Sequence, residues 1–152
     1  MMLSKNLSVK EVTKSATAIK YGINNEPAIE HLENLKAVAE NIFQPLRERF
    51  GVPIAVTSGY RSRALNDVIG GSATSQHCKG QALDLDADVF GGITNADIFN
   101  FILDHLEFDQ LIWEFGTNEN PAWVHVSYNK GKNRGESLMA YKENGYTRYK
   151  HI

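Results

Sequence analysis

A single cysteine, Cys78, stands in 152 residues, so no intrachain disulfide can staple the fold and synthesis in a reducing compartment is expected. No apolar run approaches the roughly 20 residues of a membrane-spanning helix, and the N-terminal residues lack a signal-peptide core. Membrane insertion is therefore not expected, and the chain is expected to be made in the cytoplasm and to need another route out if it works outside. Neither sign of charge prevails: 16 Lys and Arg are set against 18 Asp and Glu, a net charge of −2. That balance offers no electrostatic footprint for nucleic acid or an anionic lipid surface, and neither is expected as a partner. Internal repeats and low-complexity segments are also missing. What remains is a length suited to one domain over residues 1–152 with a single core, expected to act as a monomer.

Helical spacing dominates the first third. Ser8 is placed to cap a short helical turn through Val12. From Glu26 to Phe43 the residues Ile29, Leu32, Leu35, Val38, Ala39, Ile42 and Phe43 recur at three and four, predicting an amphipathic core helix with Pro27 in its first turn. His31 on this helix is expected at the surface. Pro45 predicts a kink or restart before Leu46, and Gly51 an end. Ile54–Ser58 reads as a β-branched strand leading to Arg61, and a strand end is a rigid mount for a functional arginine. Ser62 caps a short helix to Ile69, stopped by Gly70-Gly71, and the loop Ser72–Gln76 delivers His77.

Thr94 and Asp97 form a capping box for a helix running to about Leu106, with His105 in its last turn as a capping residue. Phe108–Glu114, Ala122–Tyr128 and Ser137–Tyr141 read as strands, whereas the basic, aromatic tail through His151 carries no signal. The succession predicts an α+β fold with a central, mainly antiparallel sheet flanked by helices.

The chemistry concentrates in Ser75–Asp86, SQHCKGQALDLD. His77 and Asp84 lie seven apart around Gly80, so a loop bearing an imidazole can turn into a strand that presents a carboxylate beside it. In Ala82–Asp86 alternation puts Asp84 opposite Leu83 and Leu85; the plain alternative is a carboxylate on the solvent side of a half-buried strand. His125 is the third candidate ligand, alternating with Val124 and Val126. Two imidazoles and a carboxylate suit zinc with a fourth position left open. The short link between Glu114 and Ala122 suggests a hairpin bringing Glu114 across from His125, where a carboxylate can serve as a general base.

These residues carry a resemblance. SGYRS at 58–62, SQHCKGQALDLD at 75–86, and FDQLIWE followed by WVHVSY resemble the D-Ala-D-Ala carboxypeptidase family of zinc peptidases, relatives of lysostaphin-type enzymes and of the hedgehog signalling domain. The opening segment and the helix ending QPLRERFG resemble its single-domain phage and bacterial members. The family pattern of Ser-x-His, six residues, Asp, and a later hydrophobic-His-hydrophobic strand falls on Ser75, His77, Asp84 and His125. It implies one catalytic Zn2+ held by His77, Asp84 and His125, with Arg61 binding a substrate carbonyl or carboxylate.

In the carboxypeptidase members the catalytic acid precedes the last histidine by three, a place held here by Ala122. Glu114 matches the hedgehog-like pattern instead, and Glu119 is the reserve candidate. The resemblance implies a metallopeptidase cutting a peptidoglycan stem peptide, as a phage-type lysin or a cell-wall enzyme, and carboxypeptidase and endopeptidase action both stay open. Ser75 and Trp123 would line the substrate cleft, although a strand-borne tryptophan serves equally well in packing. Cys78 reads as a bystander. A non-catalytic, zinc-containing binding module of hedgehog type is the main alternative. A structural zinc with a fourth ligand from Cys78 or Asp86 is the other.

Overall fold

The computed structural model describes residues 1–152. Its N-terminal part is helical but opens on a small hairpin, β1 (Met2–Ser4) and β2 (Leu7–Ser8), which the sequence reading did not anticipate. Ser8 then caps α1 (Val9–Thr13) in a full capping box with Glu11, and Ser15 caps a second short helix, α2 (Ala16–Tyr21).

The long helix is interrupted as Pro45 requires. α3 (Ile29–Val38) runs into a π-helical turn at Ala39–Phe43, and α4 (Gln44–Phe50) restarts with the proline in its first turn and ends at Gly51 in the left-handed conformation. Proline has no N–H to give, and the wider turn absorbs the loss without breaking the rod. Pro27 lies before the helix, not in its first turn. Leu35, Val38, Ile42, Phe43 and Leu46 form the buried stripe. His31 is a correction to the surface assignment: its side chain is 24% exposed, its ring lies 5.3 Å from that of Tyr60, and its Nδ1 is buried without a partner.

After α4 the chain builds one six-stranded sheet in the order β3-β4-β6-β5-β7-β8. Its strands are β3 (Ala55–Ser58), β4 (Ala82–Asp86), β5 (Gln110–Glu114), β6 (Trp123–Ser127), β7 (Glu136–Glu143) and β8 (Tyr146–His151). Every neighbouring pair is antiparallel except β5 with β7. α5 (Arg63–Ile69), capped by Ser62, and α6 (Asn95–His105), with the Thr94–Asp97 capping box, interrupt the strands. The fold is α+β, as the order of elements suggested.

One face of the sheet is apolar. Leu83 and Leu85, Leu111 and Trp113, and Val124 and Val126 join Ile98, Phe99 and Ile102 of α6 and the stripe of α3 and α4 in a common core. Burying these side chains is the main stabilising term, about 1.5–3 kcal/mol for each large one. Period-two alternation therefore sends Asp84, His125, Ile112 and Glu114 to the other face.

The tail read as carrying no signal is strand β8. Asn144 (φ 51°) and Gly145 (φ 80°) form the two-residue turn between β7 and β8, and both central residues of such a turn need positive φ. The Asn-Gly pair was the available cue. All six residues of β8 are exposed, so hydrophobic alternation could not have revealed the strand.

Candidate active site

His77 comes from a 3₁₀ turn, Gln76–Lys79, that leads into β4. Ser75 caps the turn, its hydroxyl accepting a hydrogen bond from the His77 backbone N–H, and Gly80 ends it at φ 73°. A Cβ at Gly80 would stand 2.6 Å from the His31 carbonyl oxygen, so glycine is needed for the close approach to α3 as well as for the turn. Gln76 fastens the turn to β5 by donating to the Asp109 carboxylate at 2.9 Å. Asp109, 3% exposed, also accepts from the Arg134 backbone and from its guanidinium, which ties the loop before β7 to the same point. Burial would raise the Asp109 carboxyl, but these hydrogen bonds and the Arg134 charge hold it below its ordinary value.

Asp84 and His125 face each other directly across the β4–β6 ladder. Asp84 Oδ1 lies 3.3 Å from His77 Nε2 and 3.1 Å from His125 Nδ1. The ligand atoms of the three residues all lie within 4.8 Å of one another. A tetrahedral zinc with arms of about 2.0–2.2 Å needs donors roughly 3.3–3.6 Å apart, so the spacing suits a small divalent metal. The tautomer suits it too. His77 Nδ1 is 2.6 Å from the Gly59 carbonyl oxygen, which can only accept, so a proton sits on Nδ1 and Nε2, on the Asp84 side, is left to bind either a metal or a second proton. Burial acting alone would raise the Asp84 carboxyl; the charges and hydrogen bonds of His77 and His125 outweigh it and keep the group ionised far below its ordinary range.

Arg61 follows the end of β3. Its Nε donates to Ser58 Oγ and its Nη1 to Asn66 Oδ1, which hold Nη2 at 3.8 Å from Asp84 Oδ2. The second carboxylate oxygen is thus turned to a cation while the first is shared by the imidazoles. Arg61 also lines a groove of about 680 Å³ along the outer edge of β3.

Glu114 requires a correction of register. It pairs with Trp123, and His125 pairs with Ile112. The loop between the strands closes at Ala122 N–H to Glu114 O, after Phe115 (φ 55°) and Gly116 (φ 72°) turn the chain. That turn fixes the pairing two residues from the expected place. A shift of two preserves the face, so Glu114 remains on the side of His125 as its diagonal neighbour, roughly 7–8 Å away along the backbone. Glu114 is 8% exposed as a residue, and its carboxylate takes no hydrogen bond from the chain. Burial pushes its pKa up to about 7, with the Asp84 charge adding and His125 opposing.

Glu114 and His125 line a cleft of about 800 Å³, whose wall includes Ser75 and Gln76. Trp123 does not line it; its ring packs 5.6 Å from that of Phe115 at the turn. Glu119 is exposed in the loop, its N–H bonded to Thr117 Oγ, away from the cleft wall. Cys78 faces a separate cavity of about 310 Å³ with Tyr60 and His31. Sequence reasoning missed Tyr149 of β8, Lys132 and Arg134, which line the main cleft. Only the Asn-Gly turn gave notice of the first, and nothing local gave notice of the other two.

A carboxylate with free lone pairs beside two imidazoles and an acid within ligating distance can take a proton next to a held metal ion, the arrangement of metal-assisted hydrolysis. No helix is long and apolar enough to cross a membrane. A search among curated proteins gives no match. The Peptidase M15 family model matches residues 5–127, a stretch that carries His77, Asp84, Glu114 and His125, and the chain belongs to the Peptidase M15 family.

Proposed function

We propose that the protein is a zinc-dependent peptidase that hydrolyses a peptide bond in the stem peptide of bacterial peptidoglycan, as a phage-type lysin or a cell-wall enzyme acting after release from the cytoplasm. The observation that carries the reading is the unpartnered Glu114 carboxyl on the same sheet face as the His77–Asp84–His125 cluster. His77 Nε2, Asp84 Oδ1 and His125 Nδ1 would hold Zn2+. When bound, zinc would polarise the scissile carbonyl and lower the pKa of a water.

The chain's own groups do the rest. Glu114, unpartnered and on the cleft wall, is placed to accept the proton of the attacking water and to return it to the leaving amine as the C–N bond breaks. Arg61 stabilises negative charge by steadying Asp84 and by donating to the substrate carbonyl or carboxylate that approaches it. Ser75, on the cleft wall, contacts the peptide, and Trp123 supports the turn that aims Glu114.

The test is digestion of purified peptidoglycan sacculi by zinc-loaded protein, followed by mass spectrometry of the soluble peptides. The reading predicts new peptide termini that disappear with a chelator and return with added zinc. Retention on sacculi with no new termini would make the protein a binding module instead.

A further inference from the structure

The family match ends at residue 127, yet the cleft is completed by chain beyond it. Tyr149 enters the lining from β8, at the far edge of the sheet from Arg61. The register decides which way it faces. Glu114 pairs with Ala140 and Ala140 with Tyr149, so the three share one face in a single cross-strand row. At about 4.7–4.9 Å per strand, Tyr149 stands two steps, roughly 10 Å, from Glu114 at the backbone. The residue between them, Ala140, is 1% exposed and is not part of the cleft lining, so Glu114 and Tyr149 border the open cleft beside it.

A peptide main chain lying in that cleft would present carbonyls that need donors. The Tyr149 hydroxyl bonds to no other group of the chain, whereas Glu114 can only accept while ionised. Tyr149 is exposed as a residue, but partial desolvation, and then the Glu114 charge, raise its pKa, so the phenol keeps its proton as a donor. Tyr146, three residues earlier on β8, falls on the opposite face.

We propose that Tyr149 is a substrate-contacting residue, its hydroxyl donating a hydrogen bond to a main-chain carbonyl of the bound peptide on the β8 side of Glu114. The assignment rests on the peptidase reading of the cleft.

The test uses the zinc-loaded full chain and soluble peptidoglycan stem peptides. Tyr149→Phe should raise KM about 3–10-fold, the range of one neutral hydrogen bond, with kcat, zinc content and Tm little changed. Tyr146→Phe should match the parent. A second measurement does not depend on turnover: calorimetric Kd for the same peptides on Glu114→Gln should weaken by a similar factor when Tyr149→Phe is added. Equal KM and Kd with and without the hydroxyl, or an equal effect from Tyr146→Phe, would overturn the assignment. Lack of cleavage by the parent would count against the peptidase reading alone, and the Kd comparison would then decide Tyr149; no binding to either protein would overturn both.

Discussion

Replacing Glu114 by glutamine should change how the metal-free protein responds to pH, with a size set by the site. The carboxyl has an ordinary value of 4.5 and is pushed up to about 7 in the fold because burial penalises its charge. A raised acid favours the protonated form in the folded state, so its contribution is intact below the unfolded value. It is lost as pH rises through the folded one. The difference of about 2.5 units, at 1.36 kcal/mol each, amounts to about 3 kcal/mol lost between pH 4.5 and about 7.5. Glutamine has nearly the same shape and no charge to desolvate.

Urea denaturation in the presence of a chelator, from pH 4.5 to 8, is the assay. The wild-type chain should lose about 3 kcal/mol relative to Glu114→Gln across that interval, leaving the variant the more stable at pH 8. Asp84 is held down rather than up and titrates below the window in both proteins, so it cancels in the difference. Parallel curves for the two proteins would show that Glu114 ionises freely and is not a desolvated base.

Three further substitutions probe the supports of the site. His125→Ala should remove most bound zinc by metal analysis; full stoichiometric zinc with unchanged affinity would discard the ligand assignment. Arg61→Lys keeps the charge but not the planar fork that spans Ser58, Asn66 and Asp84, so kcat/KM should fall about 10–100-fold with zinc retained. Unchanged turnover would leave Arg61 only its contacts inside the fold. Asp109→Ala strands the Arg134 backbone N–H and leaves the Gln76 amide only its longer contact with Gln81, and should cost about 1–3 kcal/mol in thermal or chemical denaturation. A neutral result would mean that water replaces the carboxylate there.

The elements with a strong local code were legible before the structure was known. The Ser62 and Thr94 caps, the restart at Pro45 and the alternation around Asp84 and His125 each state their conformation within a few residues, because capping hydrogen bonds, a missing N–H and strand pleat are local effects. The pairing of Asp84 with His125 was legible in kind, since both were read onto strands beside a turn bearing His77. Register was not. Whether Glu114 faces His125 or Trp123 depends on the path of a loop whose turn uses a positive φ at Phe115, a residue that gives no warning of it. Strand β8 escaped because an exposed edge strand needs no hydrophobic pattern, and His31 was misplaced because helical spacing does not show that Tyr60 will cover its ring.

The central claim is that Glu114, not the loop acid Glu119, takes the proton in peptide hydrolysis. It is tested most directly by measuring kcat/KM of Glu114→Gln and Glu119→Gln on peptidoglycan stem peptides, each at verified full zinc content, with products identified by mass spectrometry. The account predicts a loss of roughly 10²–10⁴ for Glu114→Gln and a nearly unchanged value for Glu119→Gln. A dead Glu119→Gln beside a nearly normal Glu114→Gln would contradict it and move the base into the loop.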